Sequence, residues 1–144
     1  MNLSELYDMV KIDLEINETE LDKESLNTPV LHNKYLVFHG NEKLKLQKLN
    51  YDFKIEKRDK WLYYTGKMSE EDLKHRDWKP FDLVILKTEI DRFIDSDSDL
   101  IKMQSKMKYQ EQIVNYLENV IKIVSNRQWN IRAALDWIKF TQNA

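Results

Sequence analysis

The 144-residue sequence contains no cysteine, only two glycines and two prolines, and no long hydrophobic run. The absence of cysteine excludes disulfide bonds and thiolate metal sites. The scarcity of glycine and proline favours helices over an all-β fold, which needs many tight turns. Because no apolar run approaches the roughly 20 residues of a membrane span and no signal segment is present, we expect a soluble, cytoplasmic protein.

The formal net charge of −2 hides an uneven distribution of charged side chains. Residues 43–67 contain 8 basic and 3 acidic side chains, a local charge of +5, and residues 100–144 carry a local charge of +4. Residues 1–42 and 68–99 are acidic, with local charges of −6 and −5. The near-neutral total therefore conceals two basic blocks set between acidic ones.

Hydrophobic periodicity predicts that most of the chain is helical. A short first helix has a cap at Ser4, and a second begins near Thr19 and ends at Gly40, where glycine interrupts the pattern. A third helix begins at Glu42 and ends at Gly66, which supplies a C-cap. The sequence therefore predicts an all-α protein.

The segment after the third helix is less regular. Residues 67–81 are predicted to be a connector that contains one short turn capped by Ser69. The apolar run at residues 83–86 fits either a buried strand or the start of a helix that continues to Ile94. We favour the helix.

The C-terminal third carries the clearest pattern, an apolar seam in heptad register. The seam consists of Met107, Gln110, Val114, Leu117, Ile121, Val124, Ile131, Leu135 and Ile138. Residues 125–127 interrupt it, and a second stripe widens the apolar face, which indicates a multi-helix bundle or an oligomer. Periodicity alone leaves packing within one chain and pairing between chains equally open. We expect one helical region at residues 1–97 and another at residues 98–144, which could form a single domain.

Three aspartates at alternate positions, Asp95, Asp97 and Asp99, have the opening spacing of a calcium-binding loop. The sixth position of that loop would be Leu100, where a glycine is needed, and the twelfth would be Lys106, where a glutamate should bind the ion. We therefore interpret these acids as cap and first-turn residues of the C-terminal helix, facing the positive end of its dipole.

The three histidines, His32, His39 and His75, match no zinc-binding spacing, and no phosphate-binding glycine motif occurs. No carboxylate lies beside a recognisable base or in a glycine-shaped loop. The sequence therefore predicts no metal, no cofactor and no catalytic residue, and it favours a binding protein over an enzyme.

Residues 43–67 interleave cations with aromatic side chains. Lysine and arginine neutralise phosphates and release counterions, whereas exposed aromatic rings stack on unpaired bases without demanding a sequence. This pattern suits single strands better than a duplex. The competing interpretation is an ordinary amphipathic helix, with Trp61 and Tyr64 in the core and the cations on its solvated flanks.

Several segments together resemble one known family. Arg58-Asp-Lys60-Trp-Leu-Tyr63-Tyr64-Thr-Gly66 resembles the basic-x-basic-x-x-Tyr-Tyr-[Ser/Thr]-Gly segment of the UvsY-type recombination mediators of T4-like phages. Three further elements agree in order and separation: Leu3-x-x-Leu6, Ile16-x-x-Thr19-x-Leu21-x-x-Glu24 and Ser125-x-Arg127-x-x-x-Ile131. The resemblance spans almost the whole chain and rests on this collinear set.

The resemblance implies a protein without catalytic activity that acts in phage recombination, repair and recombination-dependent replication, in the host cytoplasm. It would bind single-stranded DNA and help to load a RecA-like recombinase onto DNA covered by single-strand-binding protein. In the family, the basic pair before the double tyrosine contributes to DNA binding, and Arg58 and Lys60 hold those positions here. With the neighbouring side chains, the expected DNA-binding residues are Lys54, Lys57, Arg58, Lys60, Tyr63 and Lys67.

Ring-like homo-oligomers, assembled through the C-terminal helical region, are also implied by the resemblance. The residues expected at this interface are Val114, Leu117, Ile121, Val124, Ile131, Leu135 and Ile138. The alternative from another class is an oligomeric helical adaptor that docks an acidic protein partner without nucleic acid. Binding of an oligonucleotide at several salt concentrations separates the two functions.

Overall fold

The computed structural model describes residues 1–143, which form six α-helices and no β-strand. The helices are α1 (Leu3–Asp13), α2 (Leu21–Tyr64), α3 (Glu70–Arg76), α4 (Lys87–Asp95), α5 (Ser98–Ser125) and α6 (Arg127–Gln142). The predicted all-α fold is therefore confirmed. Within these residues, no helix is long and apolar enough to cross a membrane.

The cap of helix α1 is Asn2, two residues before the cap expected at Ser4. The side chain of Asn2 accepts a hydrogen bond from the Glu5 N–H at 2.9 Å, and the Glu5 carboxylate accepts one from the Asn2 N–H at 3.1 Å. This reciprocal pair is a capping box, in which a cap and the third helical residue satisfy each other's backbone donors. A glutamate three residues after Asn2 was the signal for this start.

The second and third predicted helices are one continuous helix, α2, so the stop expected at Gly40 is wrong. Glycine inside a helix is unfavourable by only about 1 kcal/mol relative to alanine, which a 44-residue helix tolerates. Pro29 also lies inside α2. A proline has no N–H to donate to the carbonyl four residues back, and that carbonyl, of Ser25, instead accepts from the Gln128 side chain at 3.0 Å.

The predicted ends of the next elements are confirmed in part. Gly66 ends α2 with a φ of 71°, the left-handed conformation that glycine adopts without a steric penalty, and Ser69 caps α3 by accepting from the Asp72 N–H at 3.2 Å. The helix expected over residues 83–86 is wrong, because α4 begins only at Lys87.

Packing explains why the run at residues 83–86 is not helical. A helix continuous with α4 would place Leu83 on the same face as Ile90 and Ile94, which are buried. In the structure Ile85 packs against those two side chains instead, and Leu83 is exposed. Tertiary contacts therefore override the local apolar pattern.

The chain forms two compact units, one made of residues 1–43 together with the residues from Glu111 onward, and the other made of residues 44–110. The boundary expected between residues 97 and 98 coincides with the start of α5, but it falls inside the second unit. The predicted break at residues 125–127 is confirmed, since α5 ends at Ser125 and α6 begins at Arg127.

In the first unit, α1 and the N-terminal part of α2 pack against the C-terminal part of α5. The buried core consists of Leu6, Val10, Leu31, Tyr35, Ile113, Leu117, Val120 and Val124. Tyr35 is fully buried, and its hydroxyl donates to Asp13 at 2.7 Å, which satisfies the polar end of an otherwise apolar residue.

A buried arginine anchors the start of α6 in the same unit. Arg127 is 3% exposed and forms an ion pair with Glu24. It also donates to the Thr28 hydroxyl at 3.0 Å and to the Glu15 carbonyl at 3.4 Å. Because a buried charge needs partners on most of its donors, this network fixes the first turn of α6 on α2.

In the second unit, a smaller core joins the C-terminal part of α2 to α4 and the start of α5. Ile90, Ile94 and Leu100 are buried, and Phe53, Tyr64 and Ile85 pack against them. A cluster of aromatic rings in edge or tilted contact extends this core. It consists of Tyr63, Tyr64, Trp78, Phe81 and Phe93.

Candidate nucleic-acid interface

One side of α2 in the second unit carries exposed cations and aromatic rings. At about 100° per residue, positions 51, 54, 58 and 61 fall within a stripe about 80° wide. The exposed side chains at these positions are Tyr51, Lys54, Arg58 and Trp61, which we call the basic face. Arg58 keeps 68% of its side chain exposed and pairs with Asp59 at 3.3 Å. Lys57 is also exposed and lies beside the stripe.

Lys60 lies on the opposite side of α2 and is buried. Residues two positions apart on a helix are separated by about 200° around its axis. The side chains of Arg58 and Lys60 therefore point in nearly opposite directions. Only 6% of Lys60 is exposed. Its Nζ lies 2.8 Å from Asp99 Oδ2 and 3.2 Å from Asp97 Oδ2. The structure therefore does not bring the expected basic pair together on one surface.

Asp97 joins Lys60 to the start of α5. Its Oδ1 accepts hydrogen bonds from the N–H groups of Asp99 and Leu100, both at 3.0 Å, so the predicted capping role of this acid is confirmed. Its Oδ2 accepts a third bond, at 2.6 Å, from the Tyr64 hydroxyl. The helix N–H groups, the tyrosine hydroxyl and the lysine ammonium thus all contact the carboxylate of Asp97.

The ionisation of this group follows from its hydrogen bonds. Burial disfavours the charge of Asp97, but hydrogen bonds from Tyr64, from the Leu100 N–H and from Lys60 outweigh it and lower the pKa of the carboxyl. Burial likewise opposes the charge of Lys60, but the two carboxylates outweigh it and raise the pKa of the ammonium. Lys60 is therefore a charged side chain held within the protein.

Trp78 and Arg76, which the sequence did not single out, complete the surroundings of Lys60. The Lys60 Nζ lies 4.3 Å from the centre of the Trp78 ring, and the Arg76 guanidinium lies 4.4 Å from it. Arg76 in turn forms an ion pair with Glu56 of α2. The indole therefore contacts two cations, an arrangement that attracts both through its π-system.

Tyr63 and Lys67 lie on either side of the end of α2. Tyr63 is half-buried, and its hydroxyl donates to the Lys79 carbonyl at 2.7 Å. Lys67 is exposed, with its Nζ 4.8 Å from the centre of the Trp61 ring. Lys67 therefore adjoins the basic face, whereas Tyr63 helps to hold the connector.

An open groove of about 600 Å³ begins at the edge of the basic face. Its apolar walls are built from the end of α2, the irregular segment and the start of α4. Its lining includes Trp61, Tyr64, Gly66, Phe81, Leu83, Val84, Ile85 and Ile90. Lys67 and Lys87 bring positive charge to it, and Asp82 and Asp91 bring negative charge.

Comparison with known proteins identifies the family. A model of the family described as "Recombination, repair and ssDNA binding protein UvsY" matches residues 9–143. This chain belongs to the UvsY family. The recombination protein uvsY of Enterobacteria phage T4 is 21% identical over 140 residues, which cover 97% of each chain.

Solved structures show the same fold. A crystal structure of the bacteriophage T4 recombination mediator protein UvsY superposes with a TM-score of 0.85 at 20% identity, over 97% of this chain and 99% of that one. A second lattice type gives 0.84 at 22% identity, over 99% and 98% of the two chains. The family resemblance predicted from collinear motifs is therefore confirmed.

Two of the segments that resemble the UvsY family are joined in the structure by an ion pair. Glu24 ends one segment, and Arg127 lies in another, 103 positions later; the two form the ion pair at the start of α6. Ile131, in the same C-terminal segment, is buried one turn further along α6. These motif positions hold the first unit together.

The predicted seam for self-association of this UvsY family member lies mostly inside its own chain. Val114, Leu117, Val124 and Ile131 are buried. Ile121 and Ile138 are half-buried, and Leu135 is exposed. The opposite side of α6 carries an aromatic stripe that the heptad pattern did not include. The stripe consists of Trp129, Trp137 and Phe140, which are 66 to 70% exposed.

Proposed function

We propose that this protein binds single-stranded DNA through the basic face of α2 and acts as a recombination mediator. In that role it helps to load a RecA-like recombinase onto DNA covered by single-strand-binding protein. The observation that carries the proposal is the stripe on which Lys54 and Arg58 stand exposed beside Trp61. Membership of a family described by single-strand binding supports it.

The basic face has side chains suited to both the phosphates and the bases of a single strand. Lys54 and Arg58, with Lys57 and Lys67 beside them, would neutralise successive phosphates and release their counterions. Trp61 would stack on a base, which is possible only where the base is not paired within a duplex. A surface with cations alone would bind single and double strands without this distinction.

The groove next to Trp61 would receive the stacked base. Its walls are mostly apolar, and a Cβ at Gly66 would meet nothing within 4 Å, so this edge of the groove is open. Two lysines and two aspartates balance the charge of its lining. A near-neutral apolar groove favours the base over the phosphate, which would stay with the cations of α2.

Mediation would require several copies acting together. We infer that the exposed aromatic stripe of α6 contacts another copy of the chain. Each additional copy on one strand binds at a high effective concentration, so weak single sites become strong together. A strand held at many points could then be passed to the recombinase from the single-strand-binding protein.

Salt-dependent binding tests the DNA-binding face. Lys54→Ala with Arg58→Ala should weaken binding of a labelled oligonucleotide and reduce the slope of log affinity against log salt by about 0.7 for each phosphate that is no longer neutralised. Lys102→Ala with Lys106→Ala, at exposed positions of α5, removes the same charge and should leave the slope unchanged. Equal effects from both pairs, or no binding at physiological salt, would contradict the proposal and favour the adaptor.

Strand exchange tests mediation itself. With purified recombinase and DNA already covered by single-strand-binding protein, the unmodified chain should shorten the lag before recombinase activity. The Lys54 and Arg58 double variant should not. Stimulation that is equal for the variant would show that loading does not use this face.

A further inference from the structure

We propose that Lys60 is a positioning residue for DNA binding rather than a residue that touches phosphate. Its ion pairs with Asp97 and Asp99 attach the C-terminal part of α2 to the start of α5 and thereby hold the basic face toward solvent. The inference rests on the proposed binding of DNA by that face. It separates the roles of two cations that the sequence presents as a pair.

The surroundings of Lys60 leave its ammonium fully engaged. The Nζ atom contacts two carboxylates, at 2.8 and 3.2 Å, and the face of Trp78 at 4.3 Å. A phosphate that approached this atom would have to displace one of the two carboxylates. It would also lie beside two negative charges, which repel an anion. Lys60 therefore cannot contact DNA from this position.

Helix geometry converts the Lys60 contacts into an orientation of Arg58. Lys60 and Arg58 are about 200° apart around α2, so whichever element holds Lys60 turns Arg58 away from itself. Asp97 adds rigidity to this attachment, because it also caps α5 and accepts the Tyr64 hydroxyl. The rotation of α2 about its own axis is therefore set where α5 begins.

Lys60→Met tests this role without changing the length of the side chain greatly. It leaves Asp97 as a buried, unpaired carboxylate, so the melting temperature should fall by on the order of 10 °C. Affinity for a labelled oligonucleotide should also fall, while the slope of log affinity against log salt stays as in the unmodified protein. Arg58→Ala should instead reduce the slope by about 0.7 for each phosphate that it leaves without a cation.

A second variant separates positioning from general loss of stability. Adding Asp97→Asn and Asp99→Asn to Lys60→Met removes the unpaired charges, and asparagine still caps a helix. This triple variant should regain the melting temperature but not the DNA affinity, because no ion pair remains to hold the basic face. The matched control adds Glu89→Gln and Asp95→Asn instead, at exposed positions of α4, and has the same net charge. The control should stay impaired.

Three results would overturn the inference. If Lys60→Met reduces the salt slope as Arg58→Ala does, Lys60 contacts phosphate. If Lys60→Met binds DNA with unchanged affinity, its ion pairs position nothing that DNA needs. If the triple variant regains DNA affinity together with its melting temperature, loss of stability and not of position explains the weak binding of Lys60→Met. A failure of the proposed function looks different, because the unmodified protein itself would then not bind the oligonucleotide.

Discussion

Replacing Trp61 with alanine tests whether the basic face binds bases as well as phosphates. The indole is 38% exposed, lines the groove and has Lys67 Nζ 4.8 Å from its ring centre. Stacking of a base on an aromatic side chain contributes about 1 to 3 kcal/mol. An incoming base would first displace Lys67 from the ring, which costs about 0.5 to 1 kcal/mol for an exposed cation–π pair.

The net loss of binding free energy expected for Trp61→Ala is therefore about 0.5 to 2 kcal/mol, or roughly 2- to 30-fold in affinity for each protomer that engages a base. The assay is fluorescence anisotropy with two strands of equal length and charge, one normal and one with abasic positions. The unmodified protein should prefer the normal strand. In Trp61→Ala that preference should vanish while the salt slope remains, because every cation that faces a phosphate is still present.

Two controls decide how a loss of affinity is interpreted. Trp61→Phe keeps an aromatic face and should retain most of the preference for the normal strand. Ile55→Ala removes an exposed apolar side chain of α2 that does not line the groove, and it should behave as the unmodified protein does. If Trp61→Ala weakens both strands equally, or if the unmodified protein binds both alike, Trp61 does not stack on bases.

Three further predictions concern the rest of the chain. Arg127→Met leaves Glu24 without its buried partner and should lower the free energy of unfolding by about 3 to 5 kcal/mol in urea titrations, whereas the exposed Arg132→Ala should change it little. Asp97 has a pKa below its ordinary value of 3.8, so its stabilising contribution is complete above pH 3.8 and disappears as the pH falls through the lowered value. Between pH 6 and pH 2 the melting temperature should therefore fall less steeply for Asp97→Asn than for the unmodified protein, and parallel curves would contradict this. Trp137→Glu on the aromatic stripe should shift the sedimentation coefficient of the protein toward that of smaller assemblies, and an unchanged coefficient would exclude the stripe from the interface between copies.

Local chemistry predicted several element ends correctly. Gly66 and Ser69 act within one turn of their own positions, and each adopts the conformation or hydrogen bond that its residue type favours. Gly40 has the same residue type as Gly66 but lies within a helix. The difference is that α2 remains in a helical register on both sides of Gly40, so a weak local preference is overcome by cooperative hydrogen bonding.

The heptad seam shows a different limit of sequence reasoning. Periodicity identified the apolar side of α5 correctly, and Leu117 and Val124 are fully buried. It could not say which helices cover that side, because the partners in α1 and α2 lie about a hundred positions away. Leu117 and Val124 of the seam share the core of the first unit with Ile113 and Val120, which lie outside the seam. The exposed aromatic stripe of α6 had no heptad pattern to mark it.

The basic block illustrates why residue type and spacing must be considered together. Arg58 and Lys60 belong to one family motif, and both are cations, which makes a shared role natural. On a helix, however, positions two apart face nearly opposite sides, so no single surface of α2 can display both. That separation follows from the sequence as soon as the segment is assigned to a helix. What the sequence could not show is the acid pair that receives Lys60, since Asp97 and Asp99 lie 37 and 39 positions later and carry their own signal as helix caps. On the proposed assignment, one cation of the motif would bind DNA and the other would hold the fold.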